Sequence, residues 1–471
     1  MYNVRSSNAL EFIDHDEVMQ TIAAAEEDAR NPQRIREILR KGEEMRGLDH
    51  REAATLLACD DPEVIAATVS LARRIKERFY GRRIVMFAPL YLSNYCVNSC
   101  TYCPYHGQNR HITRRKLTQD EIRREVIALQ DMGHKRLALE AGEHPRMAPL
   151  EYILESIDTI YSVRHRNGAI RRVNVNIAAT TVDDYRRLRD AGIGTYILFQ
   201  ETYHKENYER LHPAGPKSDY RWHTEAMDRA MQGGIDDVGL GVLFGLNTYR
   251  YDFAALLMHA EHLEAAHGVG PHTISVPRIC PADDIQTADF PDAVSDDLFC
   301  RIISVLRVAV PYTGMIVSTR ESPAVRARAL EAGVSQLSGG SRTSVGGYTE
   351  PERDEDTAQF DISDHRTLGE VVEWLLDTGH IPSFCTACYR EGRTGDRFMS
   401  LLRSGKIADC CGPNAMMTLM EYLCDYASAE VRMKGMALIE KEIASIRTPR
   451  IAEITRERLN RIASGERDFR F

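Results

Sequence analysis

Three cysteines stand inside eight residues, CVNSCTYC over 96–103, at C-x3-C-x2-C spacing. Iron–sulfur cubanes are held by cysteine thiolates, normally four of them. Cys96, Cys100 and Cys103 can hold three irons and leave the fourth without a protein ligand. An open coordination position marks a catalytic metal, whereas structural sites close their coordination sphere. The open iron can chelate a small molecule through an amine and a carboxylate. A second group follows at Cys385, Cys388, Cys410 and Cys411. Neighbouring thiolates rarely both reach one tetrahedral ion, so three ligands are expected there too: Cys385, Cys388 and either Cys410 or Cys411. A fully ligated structural zinc site is the competing reading.

The other four of the eleven cysteines, Cys59, Cys280, Cys300 and Cys424, are scattered and read as small buried apolar residues. An odd count in a long chain argues against a disulfide scaffold.

These side chains need a scaffold, and the chain is long enough for a large barrel with additions or for two to three domains. With 43% hydrophobic and 7% aromatic residues it has the composition of a globular protein. The net charge of −9 and the lack of a basic stripe argue against nucleic-acid binding. No apolar run reaches the roughly 18 residues of a membrane span. The polar start, MYNVRSSNALEFIDHDEV, lacks the apolar core of a signal peptide, so a cytoplasmic location is expected.

Residues 1–80 read as a helical extension. A βα rhythm then begins. Strands are predicted at 83–93, 136–142, 171–180, 194–202, 237–245, 272–279, 314–320 and 335–341. Their near-continuous apolar character suits burial on both faces. Helical patterns alternate with them; LTQDEIRREVIALQDMG opens on the capping-box pair Thr118 and Glu121. Eight such units predict an α/β fold, a (β/α)8 TIM-type barrel over 81–345. An open doubly wound sheet is the alternative. A polar loop and a helix fill 346–380, and 381–471 form a mostly helical C-terminal cluster-binding domain.

The first cysteine loop follows strand 1, at the C-terminal mouth where barrel active sites lie. The other strand ends then supply candidates. After strand 2 come Gly142 and Glu143, a glycine turn with a carboxylate suited to an ammonium group. After strand 3 comes Asn176, and after strand 4 Gln200, Glu201 and Tyr203. After strand 7, Ser318 and Arg320 reach the mouth, where a guanidinium can clamp a carboxylate. His272 begins strand 6 and so belongs at the opposite, bottom face, where a stability role is the default.

With Tyr102 directly before the third cysteine, the first motif resembles that of the radical S-adenosylmethionine (AdoMet) superfamily, which disfavours zinc. The resemblance implies a [4Fe-4S] cluster whose free iron binds the methionine end of AdoMet. It implies Tyr102, Gly142, Glu143, Asn176, Gln200, Glu201 and Tyr203 as cofactor-binding residues. Over essentially the whole length, stretches such as APLYLSNYCVN, RRVNVNIAATT, GTYILFQETYH, GPHTISVPR and GRTGDRFMS are similar to the tyrosine lyases that mature iron-only (FeFe) hydrogenase. That family pairs the barrel with a C-terminal C-x2-C-x22-C cluster, which selects Cys411 over Cys410. It implies a second [4Fe-4S] cluster, an additional iron held in part by His272, and bridging L-cysteine. The implied reaction cleaves L-tyrosine to p-cresol and dehydroglycine and turns the fragment into carbon monoxide and cyanide, exported as an iron–carbonyl–cyanide synthon. Ser318 and Arg320, from their place after strand 7, are the catalytic candidates. A ferredoxin or flavodoxin reductant and the other hydrogenase maturases are the implied partners, with no nucleic acid and no membrane. Two other functions compete: 2-iminoacetate synthase of thiamine biosynthesis, which lacks the second cysteine cluster, and a non-enzymatic iron–sulfur carrier, which needs no open iron.

Overall fold

A computed structural model describes residues 1–353, 357–405 and 407–471. Residues 354–356, inside the predicted polar loop, and 406, inside the second cysteine segment, lie outside the described residues.

Eight parallel strands close into a barrel: β1 (Arg83–Ser93), β2 (Arg136–Ala141), β3 (Arg172–Asn176), β4 (Tyr196–Ile197), β5 (Val238–Gly241), β6 (Thr273–Ser275), β7 (Gly314–Val317) and β8 (Gln336–Ser338). Each pairs with the next in chain order, and β8 pairs with β1 to shut the ring. The open-sheet alternative is thereby excluded. Each strand starts within two residues of its predicted start, but all except β1 are shorter than their apolar runs. The ends of those runs leave the ladder to form loops over the mouth.

The helices between strands begin as their caps dictate. Thr118 and Glu121 form the complete capping box of helix Gln119–Met132, which stops at Gly133 in left-handed conformation. Five helices between Ala9 and Tyr80 precede the barrel. The longest, Pro62–Tyr80, buries Leu71, Ala72, Ile75 and Phe79.

Beyond the loop, helix Leu368–Asp377 leads into a ninth strand, β9 (Ile381–Ser383), which pairs in parallel with the first residues of β1. This strand was not expected from the sequence: three residues containing a proline give no periodic signal. It docks the C-terminal region on the barrel's bottom face. A buried ion-pair set fastens the contact. Glu421 on helix Ala408–Asp425 lies 3.1 Å from Lys135 and 2.9 Å from Arg171, just before β2 and β3.

Candidate active site and lower chamber

At the mouth, the loop after β1 brings Cys96, Cys100 and Cys103 into one cavity of about 180 Å³. The loop lies close against the turn after β2. A Cβ on Gly142 would sit 2.5 Å from the Tyr95 carbonyl, so only glycine permits this approach. Asn98 fixes the loop from within: its Nδ2 donates to Glu143 at 2.6 Å, and its Oδ1 accepts from the Lys217 backbone at 2.9 Å. Burial pushes the Cys103 thiol up to about 12 and Cys100 higher still. Three clustered thiols in such surroundings are a donor set for a strongly cationic group, as a cluster supplies.

Glu143, Asn176 and Glu201 line the same cavity. Burial raises the Glu143 carboxyl, opposed by the Asn98 hydrogen bond and by Lys217. Glu201 sits at positive φ (71°) and forms an ion pair with Lys217 at 2.8 Å. Tyr102 lines the cavity with its ring and gives its hydroxyl to His212 Nε2 at 2.7 Å. His212 is free to accept because its Nδ1 donates to the Tyr208 carbonyl, and burial lowers its pKa to about 3. Gln200 and Tyr203 are not among the cavity's lining residues. Gln200 donates to Thr224 Oγ1 at 2.9 Å, and the Tyr203 hydroxyl meets His259 Nδ1 at 2.8 Å. Both are turned to partners on the surrounding helices, Thr224 and His259, while the left-handed turn at Glu201 directs that carboxylate to the cavity.

The cavity continues into the barrel lumen, where Ser318, Arg320, Glu140 and Asn176 meet. Arg320 stacks over Phe360 and donates to Cys280 Sγ at 2.9 Å. Cys280 is therefore a mouth residue rather than the bland apolar filler the sequence suggested. Glu140 was missed altogether. It is the register partner of Asn176 and Tyr91, and burial raises its carboxyl well above the usual range. A lone carboxylate on the inward face of RLALEA was the available signal. Lys217, reached only through the fold, left none.

Below the lumen, Gln336 lines both this space and a lower chamber. Cys385, Cys388, Cys411 and His272 line that chamber together. Cys411 is buried, whereas Cys410 is half-buried and does not line it. The Cys385 carbonyl accepts from Arg136 Nη2 at 2.8 Å, which pins the cysteine loop under β2. His272 Nδ1 lies 3.3 Å from Asp237 Oδ1, and its Nε2 meets the Tyr389 hydroxyl at 3.0 Å. A carboxylate close behind one ring nitrogen is a recurrent feature of metal-ligating histidines, and here the other nitrogen is engaged by the Tyr389 hydroxyl. Burial works against the Asp237 carboxylate, but His272, Arg172 and the Gly395 amide together keep it below its ordinary value. Three thiols with such a histidine fit a cluster with one further metal ion.

The Radical SAM superfamily model matches residues 90–258, and the Biotin and Thiamin Synthesis associated domain matches 275–381. The 2-iminoacetate synthase of Escherichia coli (strain K12) is 32% identical over 66% of this chain and 80% of its own length. A crystal structure of HydG, a maturase of FeFe-hydrogenase, superposes with a TM-score of 0.94 at 51% identity, covering 98% of this chain and 100% of the other. HydG from Carboxydothermus hydrogenoformans gives 0.82 at 38% identity, covering 96% and 99%. Among the described residues, no helix is long and apolar enough to cross a membrane.

Proposed function

Because the chain belongs to the radical SAM superfamily and, within it, to the HydG family of FeFe-hydrogenase maturases, we propose that it is a two-site tyrosine lyase. It cleaves L-tyrosine to p-cresol and dehydroglycine at the barrel mouth. It converts the fragment to carbon monoxide and cyanide in the lower chamber and releases them on an iron–cysteine carrier. The observation that carries this reading is the pair of three-thiol chambers, one at the barrel mouth and one beneath the lumen, with Gln336 lining both the lumen and the lower chamber.

When bound, the upper cluster would supply the electron for reductive cleavage of AdoMet, and the lower one would supply iron for conversion of the fragment. The chain's own residues do the rest. Cys96, Cys100 and Cys103 hold the upper cluster; Cys385, Cys388 and Cys411 hold the lower, with His272 on the added iron. Gly142 opens room for the AdoMet amino group beside Glu143. Asn176 and Glu201 are placed for its polar groups. Arg320 orients the tyrosine carboxylate, with Ser318 beneath it. The apolar and aromatic walls exclude water, which protects the imine fragment from hydrolysis on its way down.

The test is a product assay under strict anaerobiosis. Protein reconstituted with iron and sulfide receives AdoMet, L-tyrosine, free cysteine and a reductant, and p-cresol, carbon monoxide and cyanide are quantified together. All three are expected. p-Cresol without the diatomic products would assign the chain the 2-iminoacetate synthase reaction instead and leave Cys385, Cys388 and Cys411 a structural role.

A further inference from the structure

The inner faces of β2 and β3 carry a graded set of side chains. In register from the mouth downward stand Glu140 with Asn176, Ala138 with Asn174, and Arg136 with Arg172. Register partners in a parallel sheet point to the same face, so the two arginines are neighbours in the barrel floor: Arg136 lines the lower chamber, and Arg172 lies beside it under Tyr389, in an adjoining groove. Both are buried. Among the described residues neither makes an ion pair with a carboxylate. Arg136 Nε and Arg172 Nη1 are buried N–H groups without an acceptor.

The remaining bonds of these arginines are to neutral groups. Arg136 donates to the Cys385 carbonyl, and Arg172 donates to Asn174 Oδ1 and Thr195 Oγ1, both at 2.7 Å. Arg172 also stacks on the Tyr389 ring, whose hydroxyl touches His272. Paired buried cations with unmet donors call for an anion, and planar forks suit a carboxylate.

We propose that Arg136 and Arg172 form a carboxylate subsite in the barrel floor that receives the dehydroglycine carboxylate. The assignment rests on the two-site reading above. The fragment's carboxylate leaves the single guanidinium of Arg320 at the mouth for a pair at the floor. Its imine carbon then faces the chamber lined by Cys385, Cys388, Cys411 and His272. A fragment that is not captured adds water and gives glyoxylate and ammonium.

The test uses the reconstituted enzyme with Arg172→Gln, and with Arg136→Gln as a second variant that leaves the Arg172 bonds intact. In both, p-cresol continues to form while carbon monoxide falls by about tenfold or more, as for loss of one partner of a buried charge pair. Glyoxylate rises to match, and in Arg172→Gln, which leaves the Arg136 bond to the Cys385 loop in place, iron content stays at the wild-type value. Glyoxylate added to the wild type binds by calorimetry and suppresses carbon monoxide but not p-cresol; its affinity falls about tenfold in either variant. Carbon monoxide at the wild-type rate in both variants would overturn the subsite. So would loss of iron with unchanged glyoxylate affinity, which would make the arginines counter-charges of the lower cluster. If the wild type forms no p-cresol, the two-site reading fails by itself, and the glyoxylate affinities still decide whether the arginines bind a carboxylate.

Discussion

Cys410 and Cys411 are the same side chain one peptide bond apart, yet only Cys411 lines the chamber with Cys385 and Cys388. Both belong to helix Ala408–Asp425, where adjacent residues point about 100° apart, so one helix face admits one of them. Cys411→Ala is therefore expected to abolish carbon monoxide release, and Cys410→Ala to leave it within about twofold of wild type. Headspace measurement of carbon monoxide checks both. At the mouth, Cys96→Ala removes a ligand shared by every later step. AdoMet cleavage, followed as 5′-deoxyadenosine, should fall by about 10³-fold or more. The cysteine trios were readable because ligand spacing survives in one dimension. The partners that tune them were not: Asn98 meets Glu143, and Lys217 meets Glu201, only after folding.

The turn after β4 depends on an element behind it. Asp252, at the start of helix Tyr249–His267, accepts from the Tyr203 amide at 2.7 Å and from Thr202 Oγ1 at 2.9 Å, and so supports the segment that carries Glu201. Burial raises the Asp252 carboxyl to about 7. A raised carboxyl binds its proton more tightly in the folded chain than in the unfolded one, so folded stability falls as pH rises from about 4 to about 7 and then levels off. By linkage the loss amounts to roughly 4 kcal/mol at most. Urea unfolding of the wild type between pH 5 and pH 8 should show this decline, and Asp252→Asn should flatten it. An undiminished slope in the variant would assign the pH dependence to other groups. The helices and barrel strands were expected from caps and apolar runs. β9 was not, because an edge pairing three residues long is decided by its partner and not by its own sequence.

In the whole molecule, the barrel joins two chambers that one loop could not hold together. The βα order places the first trio at the mouth and sends the chain back beneath the barrel, so the two trios stand at its two ends. The eightfold rhythm announced the barrel, and His272 was placed at the bottom by its position before β6. The docking was hidden, because it rests on Glu421 between Lys135 and Arg171, charged residues that look like surface although Glu421 and Lys135 are buried. Glu421→Ala leaves the buried Lys135 without its ion-pair partner, while Arg171 keeps Asp468 at 3.4 Å. The substitution is expected to cost about 3–5 kcal/mol, read by urea unfolding. A change below about 1 kcal/mol would show that the interface is fastened elsewhere.

The central claim is that one chain runs two reactions at two ends of a barrel, and the Cys388→Ala variant tests it most directly. p-Cresol and carbon monoxide are measured together, anaerobically, against wild type. Continued p-cresol formation with carbon monoxide lost is the predicted result. Carbon monoxide at the wild-type rate, or loss of both products while the upper cluster still cleaves AdoMet, would contradict the two-site account.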